Sequence, residues 1–165
     1  MGAGKSTVGS ALAEVLDWQL QDLDRSIEKR VGHDIPKIFK DQGESLFREY
    51  ESQALLATKQ LKNTVIPCGG GVVTTPANLE YLQDQLTVWL DVSPEEAASR
   101  LESSNDRPLL DGCENTVKKL VDILELRRPA YAIAASLHIN TTGKDPETIS
   151  SEILQKLRSL NVRTN

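Results

Sequence analysis

The sequence is poor in aromatic residues: two phenylalanines, two tryptophans and three tyrosines, 4% of the chain. Leu, Val, Ile and Ala must therefore fill any core. Cysteine is also scarce. Cys68 and Cys113 form no CxxC pair and have no neighbouring histidines. They read as free thiols in a reducing compartment rather than as zinc ligands. No apolar run approaches the length of a membrane span. The N-terminus lacks the charged head, apolar middle and cleavage site of a signal peptide. The expected setting is the cytosol, or a compartment reached by a chain that has already lost a targeting segment. Basic residues are outnumbered, with 19 Lys and Arg against 24 Asp and Glu, for a net charge of −5. That argues against a general surface for nucleic acid or anionic membrane. It leaves room for a small basic pocket that takes an anionic substrate.

What is present fits one globular domain. There are 165 residues, 39% hydrophobic and 26% charged, enough for a sizeable core. Helical and strand-like stretches alternate, the signature of an α/β fold with a parallel sheet. Val8, Leu12, Val15 and Leu16 give residues 6–17 a helical period. "WQLQDLD" (18–24) reads as a short strand ending in acids, and residues 24–62 as helix broken near Gly32-His33-Asp34 and Gln42-Gly43. "TVIPCGGG" (64–71) reads as a short apolar strand running into glycines, and "LTVWLDV" (86–92) as the clearest buried strand. Ser93-Pro94-Glu95-Glu96 carries an N-cap, a first-turn proline and a capping-box glutamate. Residues 103–115 read as a polar loop, 115–135 as helix and 136–141 as strand. Asp145-Pro146 then opens a last helix to about Leu160.

Chemistry concentrates at a few places. "MGAGKST" (1–7) is the tail of the phosphate-loop pattern G-x-x-x-x-G-K-[ST]. In such a loop Lys5 reaches the β- and γ-phosphates of a nucleotide and Ser6 ligates Mg²⁺, while the helix that follows adds its positive end. The plainer alternative is a glycine-rich turn before a surface helix. The pattern's first glycine and its buried strand would both lie before residue 1, whereas a parallel sheet normally starts with a strand. Asp22-Leu23-Asp24, at a strand end, would turn both carboxylates to one side. One would serve a metal ion through water and the other a substrate hydroxyl, the alternative being a solvated end with Asp24 capping the next helix. Arg48 is either a solvated charge or a fork for a carboxylate. Gly69-Gly70-Gly71 is either a tight turn or a place where ligand approaches bare backbone. Arg107, in the polar loop, is either an ordinary surface residue or a group that closes over transferring phosphate.

In series, these stretches resemble the shikimate kinase family. The resembling residues are "MGAGKST" (1–7), "DLD" (22–24), "IEKRVG" (27–32), "IFKDQGESLFREYE" (38–51), "CGGGVVT" (68–74), "RPLL" (107–110) and "RRPAY" (127–131). The resemblance implies a three-layer α/β/α P-loop kinase fold with a five-stranded parallel sheet, related to the nucleoside monophosphate kinases. It implies a single domain over residues 1–165, with a substrate-binding segment over about 24–60 and a mobile lid over about 103–115. The implied reaction is phosphorylation of the 3-hydroxyl of shikimate by ATP with Mg²⁺, on the route to chorismate and aromatic amino acids. Gly2, Ala3, Gly4, Lys5, Ser6 and Thr7 would bind the nucleotide phosphates, and Ser6 and Asp22 would serve the metal. Lys5, Asp24 and Arg107 would be catalytic, with Asp24 the candidate base. Arg48 and Arg127 would clamp the substrate carboxylate, and Gly69, Gly70 and Gly71 would line its pocket. Arg100 and Pro146 would sandwich the adenine, with Arg107 also on the nucleotide.

The family's first strand lies in the middle of its sheet. Its absence would open a central gap and leave two neighbouring strand edges unpaired. The expectation is that Met1 is an internal residue of a longer chain. Cys68 stands where the family more often has a small residue such as Thr or Ala. Expected partners are a small-molecule substrate, with no nucleic acid and no membrane, in a monomer. A bacterial cytosol and a plastid interior fit equally. Two other readings remain at this stage: a different small-molecule P-loop kinase, such as a gluconate kinase, and a catalytically impaired kinase-like binding protein.

Overall fold

The structure, a computed structural model, describes residues 1–101 and 115–160. Among these, seven helices alternate with four short strands. The order is α1 (Lys5–Leu16), β1 (Gln19–Leu20), α2 (Leu23–Val31), α3 (Ile35–Ala57), β2 (Thr64–Val65), α4 (Pro76–Gln83), β3 (Val88–Asp91), α5 (Pro94–Leu101), α6 (Thr116–Ala134), β4 (Leu137–Asn140) and α7 (Pro146–Ser159). No helix of the described residues is long and apolar enough to cross a membrane.

Local chemistry sets most of these boundaries. Gly4 enters α1 with φ 77°, and Asp17 ends it with its N–H returning to Ala13 and Glu14 carbonyls. Asp145 caps α7 by accepting the Thr148 N–H at 2.8 Å, with Pro146 behind it. Gly32 closes α2 at φ 77°, and Gly43 (φ 83°, ψ 167°) kinks α3 where the sequence predicts a break. The capping box at Ser93 forms only by half. Ser93 Oγ accepts the Glu96 N–H at 3.2 Å, but the Ser93 N–H donates to Thr142 Oγ1 instead. The Glu96 carboxylate turns to Arg100 and to the Gly143 N–H. A long-range acceptor, Thr142, has displaced the local one at the Ser93 N–H.

All strand pairing is parallel, as expected. Gln19 pairs with Thr64 and Leu20 with Val65, while Val88 through Asp91 pair with Leu137 through Asn140. The two pairs form separate sheets, β1-β2 and β3-β4. The gap expected in the middle of the sheet is present, and a cavity of about 470 Å³ occupies it. β3 is therefore half-buried rather than the fully buried strand that its sequence predicts.

Helices cover both faces. On one face Val8 and Leu12 of α1 meet Ile149, Ile153 and Leu157 of α7 over Leu137 and Ile139 of β4. On the other, Leu23, Ile27, Ile38, Phe47 and Leu55 of α2 and α3 pack with Val72, Val73 and Leu82. Ala97, Ala98 and Leu101 of α5 close against Ala3 and Leu120. Each fully buried Leu or Ile contributes about 1.5–3 kcal/mol. Aliphatic packing thus replaces the missing aromatics and fixes the strand ends from which the functional loops emerge.

Candidate active site

Residues 1–4 turn into α1 through two glycines at positive φ, Gly2 (68°) and Gly4 (77°). Gly2 also lies against α5, where a Cβ would come within 2.8 Å of Ala97 Cα and its carbonyl oxygen. Backbone conformation and close approach together require glycine there. α1 is long enough to present a positive end, and Lys5, Ser6 and Thr7 form its first turn. A glycine turn into a helix N-terminus is chemically suited to phosphate oxygens.

Ser6 Oγ donates to Asp22 Oδ2 at 2.7 Å. Asp22 is the N-cap of α2, and its Oδ1 accepts the N–H groups of Asp24 (3.0 Å) and Arg25 (3.3 Å). This corrects the sequence expectation. Asp22 and Asp24 are not two acids on one side of a strand end, because β1 stops at Leu20 and Leu23 is already helical. Asp22 is also the capping residue, where the sequence suggested Asp24. Among the described residues no group of three or more His, Cys, Asp or Glu is placed to hold a metal ion. Ser6 and Asp22 offer one hydroxyl and one carboxylate. That donor set fits Mg²⁺, which takes one or two protein oxygens and completes its shell from phosphates and water.

The glycine run joins the remaining groups. A Cβ on Gly69 would lie 3.0 Å from Glu51 Oε1 and 3.1 Å from Asp24 Oδ1. At Gly70 it would meet the Tyr131 hydroxyl at 3.0 Å and Arg127 Nη1 at 3.9 Å, and at Gly71 it would overlap the Arg48 guanidinium. Three successive positions thus leave room for a side chain at none of them, with Asp24, Glu51, Arg48, Tyr131 and Arg127 within 4 Å of where a Cβ would stand. None of these glycines has a positive φ, so close approach is what requires them.

Arg48 donates from Nη1 to Glu51 Oε2 at 2.8 Å, and from Nη2 and Nε to Glu44 Oε1 at 2.8 and 3.2 Å. Its guanidinium carbon sits 5.2 Å from the Phe47 ring centroid. Burial works to lower the Arg48 pKa, but the Glu51 charge and the hydrogen bonds from Glu51 and Glu44 outweigh it and hold it above its usual value. Glu51 is fully buried, and its Oε1 has no hydrogen-bond partner among the described residues. Burial pushes its carboxyl pKa up against the opposing charge of Arg48, and the Asp24 charge adds to the rise. Arg127 is 8% exposed on α6, one turn from Tyr131, whose hydroxyl donates to the Gly70 carbonyl at 2.6 Å. Burial raises the Tyr131 pKa, with Arg127 opposing. Beside them burial pushes the Cys68 thiol up to about 12. Two guanidiniums and two carboxylates around bare backbone suit a small ligand that carries both an anionic group and hydroxyls.

The structure therefore brings together Gly2 to Thr7, Asp22, Asp24, Arg48, Gly69 to Gly71 and Arg127. Arg100 donates from Nη1 to the Gly2 carbonyl at 3.1 Å, and it pairs with Glu96. Through Glu96 it is tied to Gly143, three residues before Pro146. Arg107 and nearly all of the expected lid lie outside the described residues. Sequence reasoning missed Glu51, Glu44, Tyr131 and Glu96 as site groups. Helical spacing was the available signal, since Glu44 and Glu51 flank Arg48 at i−4 and i+3.

The family model for shikimate kinase matches residues 1–158. A shikimate kinase of Synechococcus sp. (strain RCC307) is 41% identical over 161 residues, covering 97% of this chain and 82% of that protein. One from Moorella thermoacetica is 38% identical over 160 residues, covering 96% and 91%. Among solved structures, shikimate kinase from Acinetobacter baumannii in complex with shikimate matches with a TM-score of 0.94 at 36% identity, covering 99% of this chain and 91% of that one. Shikimate kinase from Aquifex aeolicus matches at 0.82 with 34% identity, covering 98% and 94%.

Proposed function

The chain belongs to the shikimate kinase family, and from that premise we propose how its residues divide the work of phosphorylating shikimate with ATP. The observation that carries the assignment is the run Gly69 to Gly71, where a Cβ would meet Asp24, Glu51, Arg48, Tyr131 or Arg127 within 4 Å at every position. Arg48 and Arg127 hold the substrate carboxylate. Arg48 is held in place by Glu44 and Glu51 and so does not have to order itself on binding. Gly69, Gly70 and Gly71 let the sugar-like ring lie against the backbone. Asp24 takes the proton of the attacking 3-hydroxyl and orients it.

Gly2, Ala3, Gly4, Lys5, Ser6 and Thr7 hold the nucleotide phosphates, with Lys5 on the transferring end. Ser6 and Asp22 hold Mg²⁺, which neutralises phosphate charge when bound. Arg100 and Pro146 bracket the adenine. Arg107 joins the catalytic set on the strength of its sequence motif. Two anions are thus bound by a chain of net charge −5 because its cations converge on one cleft. The same reading carries a single domain acting as a monomer in the cytoplasm, and light scattering of the purified protein tests the monomer.

The decisive assay is ADP release from ATP in the presence and absence of shikimate and Mg²⁺. Release that requires both is expected. Release indifferent to shikimate, or driven equally by gluconate, would overturn the reading.

A further inference from the structure

Tyr131 stands where two parts of the substrate site meet. It follows Arg127 by four residues on α6, so the two side chains share a helix face. Both come within 4 Å of the place that a Cβ would take on Gly70. The Tyr131 hydroxyl donates to the Gly70 carbonyl at 2.6 Å. The Arg127 guanidinium acts on the same hydroxyl by hydrogen bond and by charge. A guanidinium has only donors. The hydroxyl therefore accepts from Arg127 while it donates to Gly70. Aromatic packing braces the ring. Trp89 of β3 lies 5.5 Å from it, tilted by 31°. Trp89 is itself stacked on His138 of β4 at 4.1 Å, and the Arg128 guanidinium carbon lies 5.5 Å from its ring centroid. His138 and Arg128 both reach Asp91 Oδ2, at 3.1 and 3.7 Å. The strand register brings this group together, since Trp89 pairs with His138.

Packing alone would need only the ring, and phenylalanine would serve. The hydroxyl instead links an arginine of the site to its backbone floor. Arg48 is fixed by the carboxylates of Glu44 and Glu51. For Arg127 the Tyr131 hydroxyl supplies part of the corresponding support. We propose that Tyr131 is a positioning residue for the substrate: anchored on the Gly70 carbonyl and braced by Trp89, its hydroxyl aims the Arg127 guanidinium at the substrate carboxylate. The inference rests on the reading of Arg127 as one arm of the carboxylate clamp. An aimed guanidinium has less freedom to lose when the ligand arrives. Tyr131 has no part in phosphoryl transfer, so its effect falls on substrate binding and not on kcat.

The test is Tyr131→Phe in the whole chain, which keeps the ring against Trp89 and removes the hydroxyl. Steady-state kinetics should show the shikimate KM about tenfold higher, the loss of one hydrogen bond to a charged group. The ATP KM and kcat should stay within about twofold of the parent. Calorimetry then separates aim from general packing. Shikimate and its methyl ester, which lacks the charge, are titrated into parent and variant. The parent should bind the ester more weakly than shikimate. Tyr131→Phe should lose about tenfold on shikimate and less than about twofold on the ester, because the hydroxyl acts through Arg127 and the ester gives Arg127 no carboxylate. An unchanged shikimate KM would overturn the proposal. So would equal losses on shikimate and ester, which would make Tyr131 a support of the pocket as a whole. A fall in kcat at constant KM would overturn it too, by placing the hydroxyl in the chemistry. In each of these cases a parent that prefers shikimate to its ester keeps the clamp and the kinase reading intact. A parent that does not distinguish the two ligands would remove the carboxylate clamp, and this inference with it.

Discussion

Gly71 and Arg48 compete for one space: a Cβ at Gly71 would lie within 2.6 Å of Cζ of the Arg48 guanidinium. The atoms in the way are the far end of a flexible side chain, so Gly71→Ala should displace Arg48 rather than unfold the chain. Arg48 would then lose its place between Glu44 and Glu51. We expect the shikimate KM to rise about tenfold, equivalent to about 1.4 kcal/mol, with a smaller change in kcat and in the ATP KM. Arg48→Ala should raise the shikimate KM further, because the bidentate contact is lost outright. Steady-state kinetics on both variants checks this, and an unchanged shikimate KM in either would remove Arg48 from the substrate site.

Glu51 should leave a mark on the pH dependence of stability. Burial holds its pKa above the ordinary 4.5 in the folded chain. Just above that value the folded protein keeps a proton that the unfolded chain has released, so stability falls as pH rises through the window. Asp145 and Glu152 have lowered pKa values, so their contributions have the opposite sign and lie at lower pH. Glu51→Gln preserves an acceptor for Arg48 and cannot titrate. Urea unfolding between about pH 4 and pH 7 should show the variant gaining on the parent as pH rises. Parallel curves would mean that Glu51 ionises normally in the fold.

The Ser6–Asp22 hydrogen bond couples two jobs that substitution can separate. Asp22 caps α2 and also faces the phosphate loop. Asp22→Ala loses the cap, which costs about 1 kcal/mol of stability, together with the carboxylate. Asp22→Asn keeps a capping oxygen but removes the charge. Both variants should need more Mg²⁺ for half-maximal rate, by about tenfold for the loss of one charged ligand, while only Asp22→Ala should melt earlier. An Asp22→Asn enzyme with the parent's Mg²⁺ dependence would show that Asp22 serves the fold alone.

The element order was legible because local signals set it: Asp145-Pro146, Ser93-Pro94, Gly32 and Gly43 all act where the sequence places them. Asp22-Leu23-Asp24 was misread for a physical reason. Leu23 fits strand alternation, but Asp22 binds two following N–H groups, and that local bond starts a helix instead. Glu51 was hidden because a helical glutamate normally faces water. It is buried by Gly69, which lies 18 residues further along the chain, and periodicity does not reveal such a contact. The same holds for Glu96, whose spacing promised a capping box and whose carboxylate found Arg100 and Gly143 instead.

That displaced glutamate gives a prediction specific to the nucleotide end. Arg100 reaches back to the Gly2 carbonyl at 3.1 Å, while Glu96 holds both Arg100 and the Gly143 amide. Glu96 thus ties α5, the phosphate loop and the approach to Pro146 into one wall. Glu96→Ala should loosen all three without touching Arg48, Glu51 or Gly69. Arg100 and Glu96 are both about one-third exposed, so solvent screening keeps the effect near 1 kcal/mol, about fivefold in the ATP KM. The shikimate KM should stay at the parent value. Glu96→Gln keeps an acceptor for both donors and should recover most of the loss. If shikimate and ATP KM values rose together, Glu96 would be a general stabiliser of the fold, and Arg100 would lose its claim to the adenine side.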